Sequence, residues 1–376
     1  MFKVDNKTFN SLNPTYNACV GDNGGFYMHA YVKGYREAVE ILLERVLAES
    51  YLLDSLVYPI IYNARHFVEL SLKASIDNLK YINQVLGNKC DSIKTKTHQI
   101  SRLWNTERDL SSAEIRYKEV ILKLEEFVLD FADMDDSAET FRFHKDHKGE
   151  FHLKTQGCIN LEAFAKRFAE MSEAFDDLSY MDDFLKNEYR VTTVVEHYSR
   201  ATIESIAKEI PPKPWNNEAS ASQINYLMGR YGLSSEQFSK IVGKIESHRE
   251  FASLIGMEIP LEGLSLERFS FFIQEYQSFG ENNKHVDLKT YWENVYKVSD
   301  AFSLDEITIL AALREIGSYD GYYSEDYDYV REKRMEMGKD VLLGEELLKS
   351  LRTLEYIKKG LLMTGQKTLL KAFRIN

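Results

Sequence analysis

Apolar residues recur along this chain at three- and four-residue spacing, and that period sets the elements it predicts. From Tyr27 onward, Tyr31, Tyr35, Val39, Leu42, Leu43 and Val46 form one stripe, the mark of a helix with a single buried face. A second helix is predicted from about Asp54 to Leu86. Asp54 would serve as its N-cap, Pro59 lies near enough to its start to be tolerated, and Gly87-Asn88 closes it. A polar stretch with several Lys and Thr follows, and then Ser111-Ser112-Ala113-Glu114 reads as a capping box for a third helix through Phe131. Residues 133–157 read as a loop with a small hairpin around Lys148-Gly149. A fourth helix starts near Asn160, with Leu161, Phe164, Ala165, Phe168, Met171 and Phe175 on one face, and another runs to about Ile210.

Pro211-Pro212-Lys213-Pro214 is the sharpest punctuation, and a domain boundary is expected there. Helices resume beyond Asn216, with caps at Ser234, Ser265 and Ser303, and the Tyr-rich acidic stretch 319–329 interrupts the pattern. No part reads as a parallel sheet, so nucleotide folds of the Rossmann or P-loop kind have no scaffold. The expected class is all-α. Its organisation is an irregular lead-in over 1–27, with turns at Asn13-Pro14 and Asp22–Gly25, a helical domain over 28–210 and a helical C-terminal domain over 216–376.

Composition sharpens this picture only in places. The 376 residues, 44% of them hydrophobic and 28% charged, suit a chain of two globular domains. A net charge of −12 excludes a protein that coats nucleic acid by bulk positive charge, but leaves room for a local basic surface. Cys19, Cys90 and Cys158 are scattered with no CxxC pair, so neither a disulfide framework nor a cysteine zinc site is expected. The polar N-terminus and the lack of a long apolar run predict a cytoplasmic protein with no membrane partner.

Candidate chemistry begins in the second predicted helix. Arg65, Glu69 and Lys73 are spaced by four, so they stack on one helical face, and Glu69 can pair with either neighbour. Spacing alone reads this stripe as a structural ion-pair ladder inside a bundle. The run Ala64-Arg65-His66-Phe67-Val68-Glu69-Leu70-Ser71-Leu72-Lys73-Ala74, however, resembles the second-helix signature of HEPN domains. Thr97-His98-Gln99-Ile100-Ser101-Arg102-Leu103-Trp104 is similar to the segment that follows it in that family, and Phe141-Arg142-Phe143 sits where the family often carries Arg-Tyr-Pro. The resemblance covers roughly residues 30 to 190 and rests on three short motifs in order.

That resemblance implies a helical bundle, commonly dimeric, in a family that contains metal-independent endoribonucleases of prokaryotic toxin–antitoxin and abortive-infection systems. Its catalytic members place an Arg and a His four to six residues apart. The imidazole moves the proton of the RNA 2′-hydroxyl, and the guanidinium clamps the phosphate. Two pairs here have that spacing. Arg142 with His147, in the predicted loop, is the first choice, and Arg190 with His197, on what reads as a helix, is the second. Arg65, Glu69, Lys73 and His98 are expected to form the polar face of the bundle or to contact substrate.

The expected partners are RNA and either a second copy or another defence protein. No metal and no cofactor are expected, and His144, His147 and His152 are read as a basic loop rather than as ligands. Lys89, Lys94, Lys96, Arg102 and Arg108, with Lys145, Lys148 and Lys154, would supply an electropositive wall or simply a solvated loop. Asp133–Asp136 reads as solvated acids or caps, and the stretch Tyr322–Tyr329 as a folded loop with its tyrosines packed inward. The alternative to a nuclease is a non-catalytic HEPN-like subunit that assembles with a defence enzyme or a phage component.

Overall fold

A computed structural model describes residues 8, 14–21, 28–90, 93, 95–154, 156–283 and 286–375. Asn13, the turn expected at Asp22–Gly25, and Lys94 lie outside the described residues. The chain is 71% helical and, among the described residues, contains no strands, so the fold is all-α. No described helix is long and apolar enough to cross a membrane.

The chain divides into two compact units. The first comprises residues 1–84 and 89–183, and the second 85–88 and 184–376. The division falls not at Pro211–Pro214 but among residues 161–190, which form one helix. The reason is local. The Lys213 amide donates to the Ile255 carbonyl at 3.0 Å, and the Trp215 indole donates to the Pro211 carbonyl at 2.7 Å. Ile210 is buried, and Trp215 packs against the same core as Ile203 and Phe251. The prolines turn a corner inside the second unit rather than ending a domain.

In the first unit, α1 (Met28–Ala48) buries Val39, Leu43 and Val46, the predicted stripe. Helix α2 (Leu53–Val85) is buried on more than one stripe, because neighbours cover several of its sides. Phe67 is its anchor, meeting Phe168 and Phe175 edge-on at 5.7 and 5.4 Å. Both belong to α5 (Leu161–Arg190), whose first turn is capped by Asn160 accepting from the Ala163 amide. Pro59 sits inside α2 without ending it, and Gly87 closes it at φ +81°.

The expected capping box at Ser111 does not form, because Ser111 is the last residue of a helix that periodicity had not marked, α3 (Ile100–Ser111). Glu114 caps a short 3₁₀ turn instead, and α4 (Lys118–Asp135) begins after it. Helix α3 starts on a borrowed cap, Asp136, which accepts from the Ser101 amide at 2.7 Å and from its hydroxyl at 3.0 Å.

The second unit holds α6 (Arg200–Glu209), α7 (Glu218–Tyr231), α8 (Ser235–Ser247) and α9 (Arg249–Leu254) around a small core of Ile203, Ile206, Leu227, Ile241, Ile245 and Phe251. A larger core gathers α10 (Leu266–Asn282), α11 (Leu288–Ser299), α12 (Leu304–Ser318), α13 (Asp326–Met335) and, later in the chain, α15 (Thr353–Met363). Between the last two lie the short α14 (Lys339–Val341) and a π-helical turn, Leu342–Leu347. The predicted caps form: Ser234 and Ser303 each complete a capping box, and Ser265 accepts from the Arg268 amide.

Helix α12 is buried almost all round, from Glu306 to Leu313. It meets α15 at backbone distance. A Cβ on Gly317 would stand 2.0 Å from the Tyr356 carbonyl oxygen, and one on Gly360 would stand 2.1 Å from that of Leu313. Only glycine fits at either place.

Candidate functional site

The charged stripe on α2 is real, and its chemistry is internal. Arg65 is completely buried. Its guanidinium donates to Glu69, to the carbonyl of His98, and to the carbonyls of Asp135 at 3.1 Å and Asp136 at 2.9 Å. One side chain thus joins α2 to the lead-in of α3 and the end of α4. Glu69, also buried, accepts from Lys73 at 2.6 Å and meets the His98 imidazole at 2.9 Å. Burial pushes the Glu69 carboxyl up, but hydrogen bonds from Lys73, Arg65 and His98 outweigh it and hold it below its ordinary value.

His66 stands beside this group, edge-on to Tyr35 at 4.3 Å, and burial lowers its pKa. The structure therefore brings Arg65, Glu69, Lys73 and His98 together. Every part of Arg65 faces a protein acceptor, so it is a tie within the bundle. His98, with 73% of its side chain exposed, is the member that reaches solvent. Asp135 and Asp136 act as caps, since Asp135 Oδ1 accepts from the amides of Glu139 and Thr140 at 3.0 and 3.2 Å.

Arg142 and His147 lie on an exposed hairpin. A bridge joins Lys145 to Phe151, the Asp146 amide donates to the Glu150 carbonyl, and the His152 amide donates to the His144 carbonyl. Asp146 fastens the turn by accepting from the amides of Lys148 and Glu150 at 2.8 and 2.9 Å, with Gly149 at φ +82°. The same two amides lower the Asp146 pKa, that of Glu150 most. No hydrogen bond or ion pair joins Arg142 to His147. Each cation instead lies over an exposed ring: Arg142 over Phe143 at 5.0 Å, and Lys145 over Phe151 at 4.5 Å.

Of the neighbouring basic residues, Lys89, Lys96 and Arg102 are exposed, Arg108 pairs with Glu125 at 3.2 Å, and Lys154 pairs with Glu150.

Arg190 and His197 are not on one helix. Helix α5 ends at Arg190, and the chain then turns through two left-handed residues, Thr192 at φ +53° and Glu196 at φ +54°. A bridge between Val195 and Tyr198 closes this turn. His197 is exposed and lies against the Tyr198 ring at 4.2 Å. Arg190 forks onto Asp326 at 2.6 and 2.9 Å. The β-branched run Val191–Val195, which read as helical, follows the end of the helix, and the predicted alignment of the pair is lost.

Asp326 belongs to a cluster that sequence inspection missed. Three successive acids of the Tyr-rich stretch each meet an arginine. Glu325 pairs with Arg200 at 3.0 Å, Asp326 with Arg190, and Asp328 forks onto Arg249. Arg200 is buried between the rings of Phe251 and Tyr323, at 4.9 and 4.6 Å, and also bonds Glu250. His248 donates to Glu325 from Nε2 at 2.9 Å while its Nδ1 accepts from the Phe251 amide. Burial works against the Glu325 charge, yet His248 and Arg200 hold its pKa far below the ordinary range.

His248, Glu250 and Glu325 present ligand atoms within 4.8 Å of one another, a set whose donors would suit a metal ion. Arg200 already bonds both carboxylates, so the cluster holds its own cation. The tyrosines turn inward as expected at Tyr327, which is fully buried, while Tyr329 is exposed. The arginine partners lie up to 136 residues away in sequence, so only the acidic half of the cluster was visible.

A second missed group lies in the core of the first unit. Ser75 bonds both Glu107 at 2.8 Å and Asp182 at 3.2 Å, and Tyr117 donates to Asp182 at 2.7 Å. Burial, and then the nearby Asp182 charge, push Glu107 well above the carboxyl range, and burial raises Asp182 to about 6. Glu107 is thereby held toward its neutral form beside Asp182, so the group is not a pair of like charges.

Comparison with protein-family models, with curated proteins and with solved structures finds no match.

Proposed function

We propose that this chain is a HEPN-like protein that engages RNA, in a role of bacterial defence or growth control, and that the hairpin of residues 142–154 is its RNA contact. One observation carries the reading. On a chain of net charge −12, this hairpin sets Arg142, Lys145, Lys148, His144 and His147 beside Phe143 and Phe151, residues 51% and 59% exposed. Cations for phosphates and exposed aromatic rings for unstacked bases are what single-stranded RNA requires, and in the free chain Arg142 and Lys145 lie over those rings. The resemblance to HEPN domains supplies the second support.

In the cleaving form of this reading, His147 takes the 2′-hydroxyl proton and Arg142 holds the phosphate. Both side chains are uncommitted to any hydrogen bond or ion pair among the described residues, and are free to take those parts. The non-catalytic form, a subunit that assembles with a defence enzyme or phage component, is favoured by a different observation. Among the described residues no group hydrogen-bonds the His147 ring, whereas a working base is held by a third partner.

Incubating the purified chain with total RNA in EDTA separates the two. Metal-independent cleavage that disappears in His147→Ala establishes the nuclease. Binding without cleavage, lost when Lys145 and Phe151 are replaced, establishes the subunit. RNA that is neither bound nor cut refutes both.

A further inference from the structure

One member of the buried group on α2 faces outward. The His98 side chain is 73% exposed, yet the residue is held from both ends: Arg65 donates to its carbonyl, and its Nδ1 meets Glu69 Oε1 at 2.9 Å. Glu69 already has Arg65 and Lys73 as donors, so it does not need the imidazole to be satisfied. Fixing an exposed ring costs side-chain entropy and returns little packing.

Hydrogen bonds hold the Glu69 carboxyl below its ordinary value, and a carboxylate has no proton to give. The proton of the neutral His98 ring therefore sits on Nδ1. Nε2 carries the lone pair and has no partner among the described residues. A buried carboxylate that sets the tautomer, with the far nitrogen open to solvent, is the arrangement of a general base.

The surroundings suit an anionic substrate. The Lys73 ammonium, 2.6 Å from the same Glu69 oxygen, keeps part of its surface. Lys96 and Arg102, within four residues of His98, are exposed and make no ion pair among the described residues. His66, 3.9 Å from Glu69, is packed against Tyr35 and Tyr62 instead. The hairpin begins close by: Arg65 Nη2 donates to the carbonyls of both His98 and Asp136, and the chain reaches Arg142 six residues later.

We infer that His98 takes the 2′-hydroxyl proton in cleavage of RNA by this chain, and that Glu69 is the residue that positions it. This role rests on the hairpin being the RNA contact, and it gives proton transfer to His98 in place of His147. Nε2 accepts the 2′-hydroxyl proton as the 2′-oxygen bonds to phosphorus. The bond from phosphorus to the 5′-oxygen breaks, and that oxygen leaves with a proton from solvent. The ends are a 2′,3′-cyclic phosphate and a 5′-hydroxyl, and the imidazolium returns its proton to water.

A labelled single-stranded RNA incubated with the full chain in EDTA tests this, with binding followed by fluorescence anisotropy. Wild type and His147→Ala are expected to leave cyclic phosphate ends, and to bind DNA of the same sequence without cutting it. His98→Ala is expected to bind RNA with unchanged affinity and to cut it about a hundredfold more slowly, with free imidazole restoring part of the rate. In nitrogen NMR the neutral His98 ring is expected to carry its proton on Nδ1, and Glu69→Gln, which can offer Nδ1 a donor, to shift it toward Nε2 and slow cleavage. RNA that is bound and cut equally well by His98→Ala, a loss that imidazole does not restore, a proton on Nε2 in the wild type, or RNA bound but never cut would each overturn this role and leave the hairpin reading standing. RNA that is not bound at all would overturn both.

Discussion

Replacing Arg65 by alanine removes a side chain that joins α2 to both the start of α3 and the end of α4. The guanidinium is fully buried, so solvent does not discount its bonds. Glu69 would keep Lys73 and His98 but lose its buried partner, and the carbonyls of His98, Asp135 and Asp136 would each lose a donor. Breaking a buried ion pair from one side costs about 3–5 kcal/mol, and orphaned acceptors add to that. Arg65→Lys is expected to recover little, because a single ammonium cannot reach a carboxylate and three carbonyls in the directions of a planar fork. Removing both charges in Arg65→Met with Glu69→Met should cost less than Arg65→Ala alone, about 2 kcal/mol, since no fully buried charge is stranded. Lys73 and His98, which lose Glu69, retain some exposure, Asp136 keeps the Ile100 amide, and the carbonyls of His98 and Asp135 are left short of a donor.

Urea-dependent hydrogen exchange, read by mass spectrometry on peptides of α2, α3 and α4, reports the loss in the unit concerned. A cost below about 1 kcal/mol for Arg65→Ala, or a double variant no better than the single, would refute the reading of Arg65 as a tie.

The remaining predictions concern other parts of the molecule. Asp182 titrates near 6 in place of 3.8, so its folded form binds the proton more tightly, and its contribution is full below the lower value. About 3 kcal/mol is then lost as pH rises through 6. Asp182→Asn should flatten that slope between pH 4 and 7 in denaturant titrations, and an unchanged slope would count against a raised Asp182. Glu325→Ala should destabilise the second unit by about 1–3 kcal/mol, since buried Arg200 keeps Glu250 but loses one carboxylate and His248 loses its acceptor, with Glu325→Gln milder, as read by thermal unfolding; a shift of under one degree would contradict it. Gly317→Ala and Gly360→Ala should each cost at least about 3 kcal/mol and yield largely insoluble protein, because their Cβ atoms have no space; normal solubility and melting would show that α12 and α15 can separate cheaply.

Much of the fold was legible because it is written in local signals. Ser234, Ser265 and Ser303 cap their helices from within three residues, and the stripe of α1 states its own buried face. Helix α3 was missed because its cap is Asp136, 35 residues downstream, and because its buried face includes Glu107, a charged type that breaks the apolar pattern. Pro211–Pro214 misled for a related reason. Proline marks a change of direction, and only the contact of Lys213 with Ile255 tells a corner from a linker. Within the candidate site, the four-residue spacing placed Arg65, Glu69 and Lys73 together, as helical geometry demands. It could not say that Arg65 points at three carbonyls, since backbone acceptors leave no mark in side-chain identity. The arginines that meet Glu325, Asp326 and Asp328 come from residues 190, 200 and 249, and long-range pairing of that kind has no period to read.

The claim that the hairpin of residues 142–154 is an RNA contact is tested most directly by fluorescence anisotropy with a labelled single-stranded RNA of about twelve nucleotides. The account predicts binding whose logarithm falls with that of salt at a slope of about −2, as three cations releasing counterions from a single strand would give. It predicts at least a tenfold loss in Phe143→Ala with Phe151→Ala, and a shallower slope in Lys145→Ala. Binding that keeps its strength and salt slope in all these variants, or no binding at low salt, would contradict it.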